Sequence, residues 1–178
     1  MKKPRAPKKF RFLYLHRWII ENYKPCRVAD IGGGKGLLTY LLQNSGFNTT
    51  VIDPFFQTLP EKYKDLEKIK HKIKDNESVK RISKEFSPEM AQDYDLLIGL
   101  HAHGCNMMII DAAKKYGKDF ILLPCCVIDE PIEKREGVNW RESLIEYAIA
   151  KDIDVKTDRL NVMGKDILIY TKSPQNFT

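Results

Sequence analysis

An α/β fold with a mostly parallel, doubly wound sheet is predicted by three features of the chain. Short apolar, strand-like runs alternate with helix-period segments from residue 12 onward. The run at 27–31 enters a glycine-rich turn, Gly32-Gly33-Gly34-Lys35-Gly36, which opens directly into a helical segment at Leu37. The last two runs, 155–162 and 167–171, join through Met163-Gly164-Lys165, a hairpin signal that adds an antiparallel strand.

The elements follow in order. Phe12, Leu15, Ile19 and Tyr23 recur at helical spacing and predict a helix over 10–23, stopped by Pro25. The strand at 27–31 and the glycine turn lead to a helix over 37–43 whose end Gly46 marks. Thr49-Thr50-Val51-Ile52 is a β-branched strand closing on Asp53. Between 59 and 75, Tyr63, Leu66, Ile69 and Ile73 fit a helix, whereas Ile69, His71 and Ile73 alternate as a strand would. The longer pattern explains more residues, so a helix is expected. A third strand is placed at 79–83, a fourth at 94–100 and a fifth at 120–123, halted by Pro124. Helices are expected at 107–116, closed by Gly117, and at 139–151. With the terminal pair this makes seven strands, mostly parallel and covered by helices on both faces.

No repeat or linker divides the chain, and 178 residues suit one domain with a substantial core. The 43% hydrophobic and 10% aromatic content excludes a disordered polypeptide. Apolar stretches are too short for a membrane span or a signal-peptide core, so the cytosol is the expected location and no membrane partner is expected. The net charge of +6 has one source: Lys2, Lys3, Arg5, Lys8, Lys9 and Arg11, after which 24 basic residues face 24 acidic ones. Residues 1–11 therefore form a basic arm ahead of a domain over 12–178. Such an arm fits contact with RNA phosphates, or alternatively a solubilising, frayed terminus. Cys26, Cys105, Cys125 and Cys126 show neither a secreted framework nor a Cys-x-x-Cys pair, so reduced thiols are expected.

Glycines at a strand-to-helix turn permit positive φ and close approach of a ligand to the backbone. A phosphate-binding Gly-Lys-Ser/Thr loop is excluded by Gly36-Leu37 after Lys35, and the dinucleotide pattern G-x-G-x-x-G requires glycine where Leu37 stands. What remains is Gly32-x-Gly34-x-Gly36 led by Asp30, with Asp53 closing the next strand. This combination resembles motif I of class I S-adenosylmethionine-dependent methyltransferases, whose domain is a Rossmann-like doubly wound sheet with a reversed last strand. The resemblance implies S-adenosylmethionine as cofactor. Gly32, Gly34 and Gly36 would pack against its methionine and ribose parts, and Asp30 would orient its ammonium group. Asp53 would bind the ribose hydroxyls, since a carboxylate accepting two hydrogen bonds suits a vicinal diol. Glu85 or Phe86, beyond the third strand, would meet the adenine, and Leu100, ending the fourth, is a further cofactor-binding candidate.

In that family the fourth and fifth strand ends border the transferable methyl group. Two clusters fall there: His101-Ala102-His103-Gly104-Cys105 and Pro124-Cys125-Cys126. His101 or His103 is a candidate general base, histidine being the side chain that titrates near neutrality. Cys125 and Cys126 are candidates to shape the acceptor pocket or to act as nucleophiles, against the alternative that they simply finish a core strand. A zinc set from His101, His103, Cys105 and the cysteine pair is allowed by ligand type but matches no common zinc spacing, so no metal is assigned.

The Leu-His-x-x-Gly and Cys-Cys strand ends are also similar to a narrower group that includes tRNA 2′-O-methyltransferases. Several acceptor signatures are missing. No Asn/Asp-Pro-Pro-aromatic motif follows the fourth strand. Pro124-Cys125 lies after the fifth strand, unlike the cytosine C5 enzymes. Gly99-Leu100-His101 replaces the aspartate of the Lys-Asp-Lys-Glu set. The function expected is RNA methylation, with DNA not expected as partner. The alternatives are methylation of a small molecule or protein, and a non-catalytic binding subunit.

Overall fold

The computed structural model describes residues 4–100, 102–125, 129–132 and 136–172. His101 and Cys126 lie outside them. In chain order the elements are α1 (Arg11–Asn22), β1 (Arg27–Ile31), α2 (Leu37–Asn44), β2 (Asn48–Ile52), β3 (Lys62–Lys64), β4 (Lys70–Lys72) and β5 (Lys80–Ile82). There follow β6 (Leu96–Leu100), α3 (Asn106–Tyr116), β7 (Asp119–Leu123), α4 (Trp140–Ile149), β8 (Lys156–Arg159) and β9 (Ile167–Tyr170).

Seven strands form one sheet in the order β5-β2-β1-β6-β7-β9-β8. Every neighbouring pair up to β7 is parallel, and β9 runs antiparallel between β7 and β8. The chain winds outward from β1 to β5 and then returns to β6 on the other side. That reversal places a crevice at the carboxyl ends of β1 and β6, where open α/β sheets bind ligands.

Alternation along the strands explains the two cores. Val28, Leu96, Ile98, Leu100, Ile121 and Leu123 face Leu15, Trp18 and Ile19 of α1 and Leu38 and Leu42 of α2. Ala29, Ile31, Leu97, Phe120, Leu122 and Ile169 face Ile109, Ile110 and Ala113 of α3 and Leu144 and Ala148 of α4. Gly99 lets α3 lie close: a Cβ there would come within 2.8 Å of Ile109 Cδ1 and 2.9 Å of Leu122 Cδ2.

The helix expected over 59–75 does not form. An antiparallel hairpin, β3–β4, stands in its place, with Lys62, Tyr63 and Lys64 opposite Lys72, His71 and Lys70. Asp65 is the cause. Its carboxylate accepts from the N–H groups of Glu67 (2.9 Å) and Ile69 (2.8 Å) and meets His71 Nε2 at 2.7 Å. An Asx turn of this kind competes with helix, and Lys68 takes φ +67° to complete it. The inner face of the hairpin stacks Tyr63 on His71 and meets Tyr40 of α2 edge-on.

The helix expected from residue 10 begins at Arg11. Ahead of it, Ala6 exchanges backbone hydrogen bonds with Asn161 (3.0 Å) and Met163 (2.8 Å). Arg5 pairs with Asp166, which also receives Arg159 at 2.7 Å. No helix among the described residues is long and apolar enough to cross a membrane.

Candidate functional site

The glycine turn is built around a buried carboxylate. Asp30 leaves β1 toward α2, is 1% exposed, and accepts a hydrogen bond from Thr39 Oγ1 at 2.8 Å. Gly33 makes this placement feasible, because a Cβ there would lie 2.6 Å from Asp30 Oδ2. Burial, aided by the nearby charge of Asp53, pushes the Asp30 carboxyl up to about 6, against the opposing pull of Thr39 and Arg81. A carboxyl whose pKa is raised on folding gives stability that is full below its unfolded value and is lost as pH rises through the folded one. Unfolding free energy is therefore expected to fall between about pH 4 and 6 by this group's share. Asp30→Asn should flatten that segment of the profile in denaturant titrations across the window.

Asp53 follows β2, is 7% exposed, and ties the turn to its own loop. Its Oδ2 accepts from Gly34 N–H at 3.0 Å and its Oδ1 from Phe55 N–H at 2.9 Å. Each oxygen retains acceptor capacity. Gly32 N–H donates to Ile52 O at 2.8 Å, locking the turn to β2. Gly34 takes φ +54°, and a Cβ there would meet only Gln57 Nε2 at 3.8 Å, so the outer side of the turn is open. Gly36, at φ +81°, instead turns inward against Val79.

Arg81 of β5 was not singled out from sequence. One nitrogen donates to Gly34 O at 2.8 Å, and the other is buried without a hydrogen-bond partner. The available signal was a cation inside the strand placed at 79–83, which the structure sets opposite Val51 of β2. Glu85 is exposed beyond β5, whereas Phe86 is buried in the α3-side core. Leu100 ends β6, 5% exposed.

At the β6 and β7 ends, the structure brings His103 and Cys125 together, with Nε2 3.5 Å from Sγ. Arg11, at the start of α1, is buried on the same side; burial lowers its pKa while the charge of Cys125 raises it. Cys105 is held in its thiol form by burial and by the carboxylates of Glu130, Glu85 and Asp53. Glu130 caps α3, accepting from Asn106 N–H and Nδ2 (both 2.7 Å) and from Met107 N–H (3.2 Å). This fastens the segment after β7 across the start of α3. A cavity of about 210 Å³ lies beside Cys125, lined by Trp140 and Arg141 of α4 and by Lys165 of the β8–β9 turn. Among the described residues no three metal-ligating side chains converge.

The sheet order, the reversed β9 and the glycine turn define the Rossmann-like fold of class I S-adenosylmethionine-dependent methyltransferases. Solved structures with this fold include an S-adenosylmethionine-dependent methyltransferase from Archaeoglobus fulgidus (TM-score 0.54, 14% identity, 91% of this chain and 92% of that one). Magnesium protoporphyrin IX methyltransferase from Synechocystis also matches (TM-score 0.53, 15% identity, 93% and 79%). In sequence, the chain is similar to the probable tRNA (uracil-O(2)-)-methyltransferases of Caenorhabditis briggsae (31% identity) and Caenorhabditis elegans (28%), each over 167 residues and 85% of this chain. The chain spans 29% of the length of these relatives. No family model matches it.

Proposed function

We propose that the chain is an S-adenosylmethionine-dependent methyltransferase acting on RNA. The observation that carries this reading is the pairing of the open glycine turn with Asp53 across the ends of β1 and β2. The residues present fit the cofactor. Asp53 offers two carboxylate oxygens to a vicinal diol, Gly34 exposes bare backbone, and Asp30 supplies an ionisable anion beneath the turn. When bound, S-adenosylmethionine supplies a methyl carbon activated by the adjacent sulfonium charge.

The chain's own groups then align and deprotonate. Asp53 would hold the nucleoside end of the cofactor and the glycine turn its amino-acid end, so that the acceptor is aligned with the methyl group. His103 would accept the proton of an acceptor hydroxyl, and Cys125 beside it holds the imidazole in place. The acceptor enters through the cavity beside Cys125, where Arg141 and Lys165 offer positive charge to a phosphodiester. RNA is favoured as acceptor because the relatives similar to this chain are named as tRNA methyltransferases.

Incubation with tritium-labelled S-adenosylmethionine and unmodified tRNA transcripts tests the reading. Label is expected in the RNA, released on nuclease digestion as a methylated nucleoside. His103→Ala should lower kcat by about 10²–10⁴, the usual contribution of a general base. Label that enters only protein or small molecules would overturn RNA as the acceptor.

A further inference from the structure

We propose that the β3–β4 hairpin and Lys9 form a docking surface for the phosphate backbone of single-stranded RNA, outside the cofactor and methyl-transfer residues. As a platform for the methyl acceptor this rests on the RNA-methyltransferase reading. The hairpin pairs Lys62 with Lys72 and Lys64 with Lys70, so two lysine pairs stand directly opposite on one exposed face. Like charges facing across a ladder are destabilising, and an isolated two-stranded ribbon is marginal to begin with. Among the described residues no ion pair engages any of these four lysines. Stacked Tyr63 and His71 hold the opposite face of the ribbon toward α2, which keeps the lysines outward.

A cleft of about 350 Å³ separates the ribbon from the start of α1. Its floor is Phe10, Leu13 and Tyr63, and its rim carries Lys9 with three of the ribbon lysines. Leu37, the residue after the glycine turn, also lines it, so the cleft opens beside the proposed cofactor site. A recessed aromatic floor with a cationic rim suits an unstacked base whose flanking phosphates meet the lysines. A duplex keeps its bases stacked, and a flat anionic bilayer would leave the floor unfilled. The ribbon therefore relocates the basic surface. Of the amino-terminal cations, Arg5 is paired with Asp166 and Arg11 is buried in α1.

Fluorescence anisotropy with a labelled oligouridine, titrated on the full chain at several salt concentrations, tests this. The comparison variant carries Lys62→Gln, Lys64→Gln, Lys70→Gln and Lys72→Gln together. Its affinity should fall by about tenfold or more at moderate salt. The slope of log K against log salt should become shallower by about 3, at roughly 0.7 per phosphate contact on a single strand. Its thermal midpoint should match or exceed that of the wild type, because two repulsive pairs are gone. The matching Lys→Arg variant should retain affinity and slope. Lysine also blunts exposed strand edges. If that is the only role here, RNA affinity and slope will be unchanged in the Gln variant, and the proposal fails. Binding to phosphatidylserine vesicles without binding to oligouridine would overturn it equally. Titration of the Gln variant with S-adenosylhomocysteine should match wild type, and RNA binding by a wild type that transfers no methyl group would remove the RNA-methyltransferase reading while leaving the surface intact.

Discussion

Gly33→Ala is expected to destabilise the protein by about 1–3 kcal/mol, the usual range for overpacking, and to weaken S-adenosylhomocysteine binding by ten- to hundredfold. The backbone at Gly33 lies outside the left-handed region, so alanine has no conformational penalty there. The effect is steric. A new Cβ would sit 2.6 Å from Asp30 Oδ2, 2.7 Å from Asp30 Cγ and 3.0 Å from the Asp30 carbonyl oxygen. Asp30 has little freedom to retreat, being short, buried and hydrogen-bonded to Thr39. Either the carboxylate leaves Thr39 or the turn lifts away from β1, and both displace the backbone that would cradle the cofactor. Denaturant melts and calorimetry on the single and double variants check this. Asp30→Ala/Gly33→Ala should be more stable than the sum of the single effects predicts, by a coupling of about 0.5–3 kcal/mol. Strict additivity would mean that the two groups do not collide.

Asp53→Ala is expected to weaken S-adenosylhomocysteine binding by about a hundredfold or more. A hydrogen bond to a charged group contributes about 1.5–3 kcal/mol, and on the proposed reading the carboxylate would accept from two hydroxyls of the ribose. The substitution also strips partners from Gly34 and Phe55 N–H, loosening the turn before any ligand arrives. Asp53→Asn separates the two contributions. It keeps one acceptor oxygen and so preserves part of the loop geometry, but it loses the charge and one acceptor site. An intermediate affinity is expected for it, with a melting temperature close to wild type.

The legible parts of the fold were those in which one local pattern had no competitor. The turn after Ile31, the acidic end of β2 and the reversed β9 all follow from short-range chemistry: glycines at a strand-to-helix junction, a β-branched run, and a tight hairpin turn. Residues 59–75 were misread because Tyr63, Leu66, Ile69 and Ile73 satisfy a 3.6-residue period by coincidence. Ile69 is in fact 54% exposed, whereas Ile73 is 3% exposed at the base of the ribbon. The informative residue was Asp65, whose side chain replaces backbone partners and closes a turn. Side-chain polarity at Asp65 outweighed the apolar periodicity running from Tyr63 to Ile73.

The basic arm illustrates a second kind of difficulty. Charge counting along the chain grouped Lys8, Lys9 and Arg11 with Arg5 because they are neighbours in sequence. Folding distributes them by contact: Arg5 to Asp166, Lys9 to the cleft beside the ribbon, and Arg11 into the protein near Cys125. The role of Arg81 was hidden for the same reason, since its partner Gly34 lies 47 residues away. The pairing of His103 with Cys125 was only half legible. Strand ends bring the two segments to one edge, but the contact of His103 with Cys125 depends on side-chain direction within each loop, which a linear pattern does not carry.

The central claim, that the glycine turn and Asp53 hold S-adenosylmethionine, is tested most directly by calorimetric titration with S-adenosylhomocysteine. Wild type and Asp53→Ala are compared at neutral pH, where the thioether product binds without turnover. The account predicts micromolar binding by the wild type and its loss in the variant, with the variant still folded by circular dichroism. Equal affinities in the two proteins, or no binding by the intact chain, would contradict it.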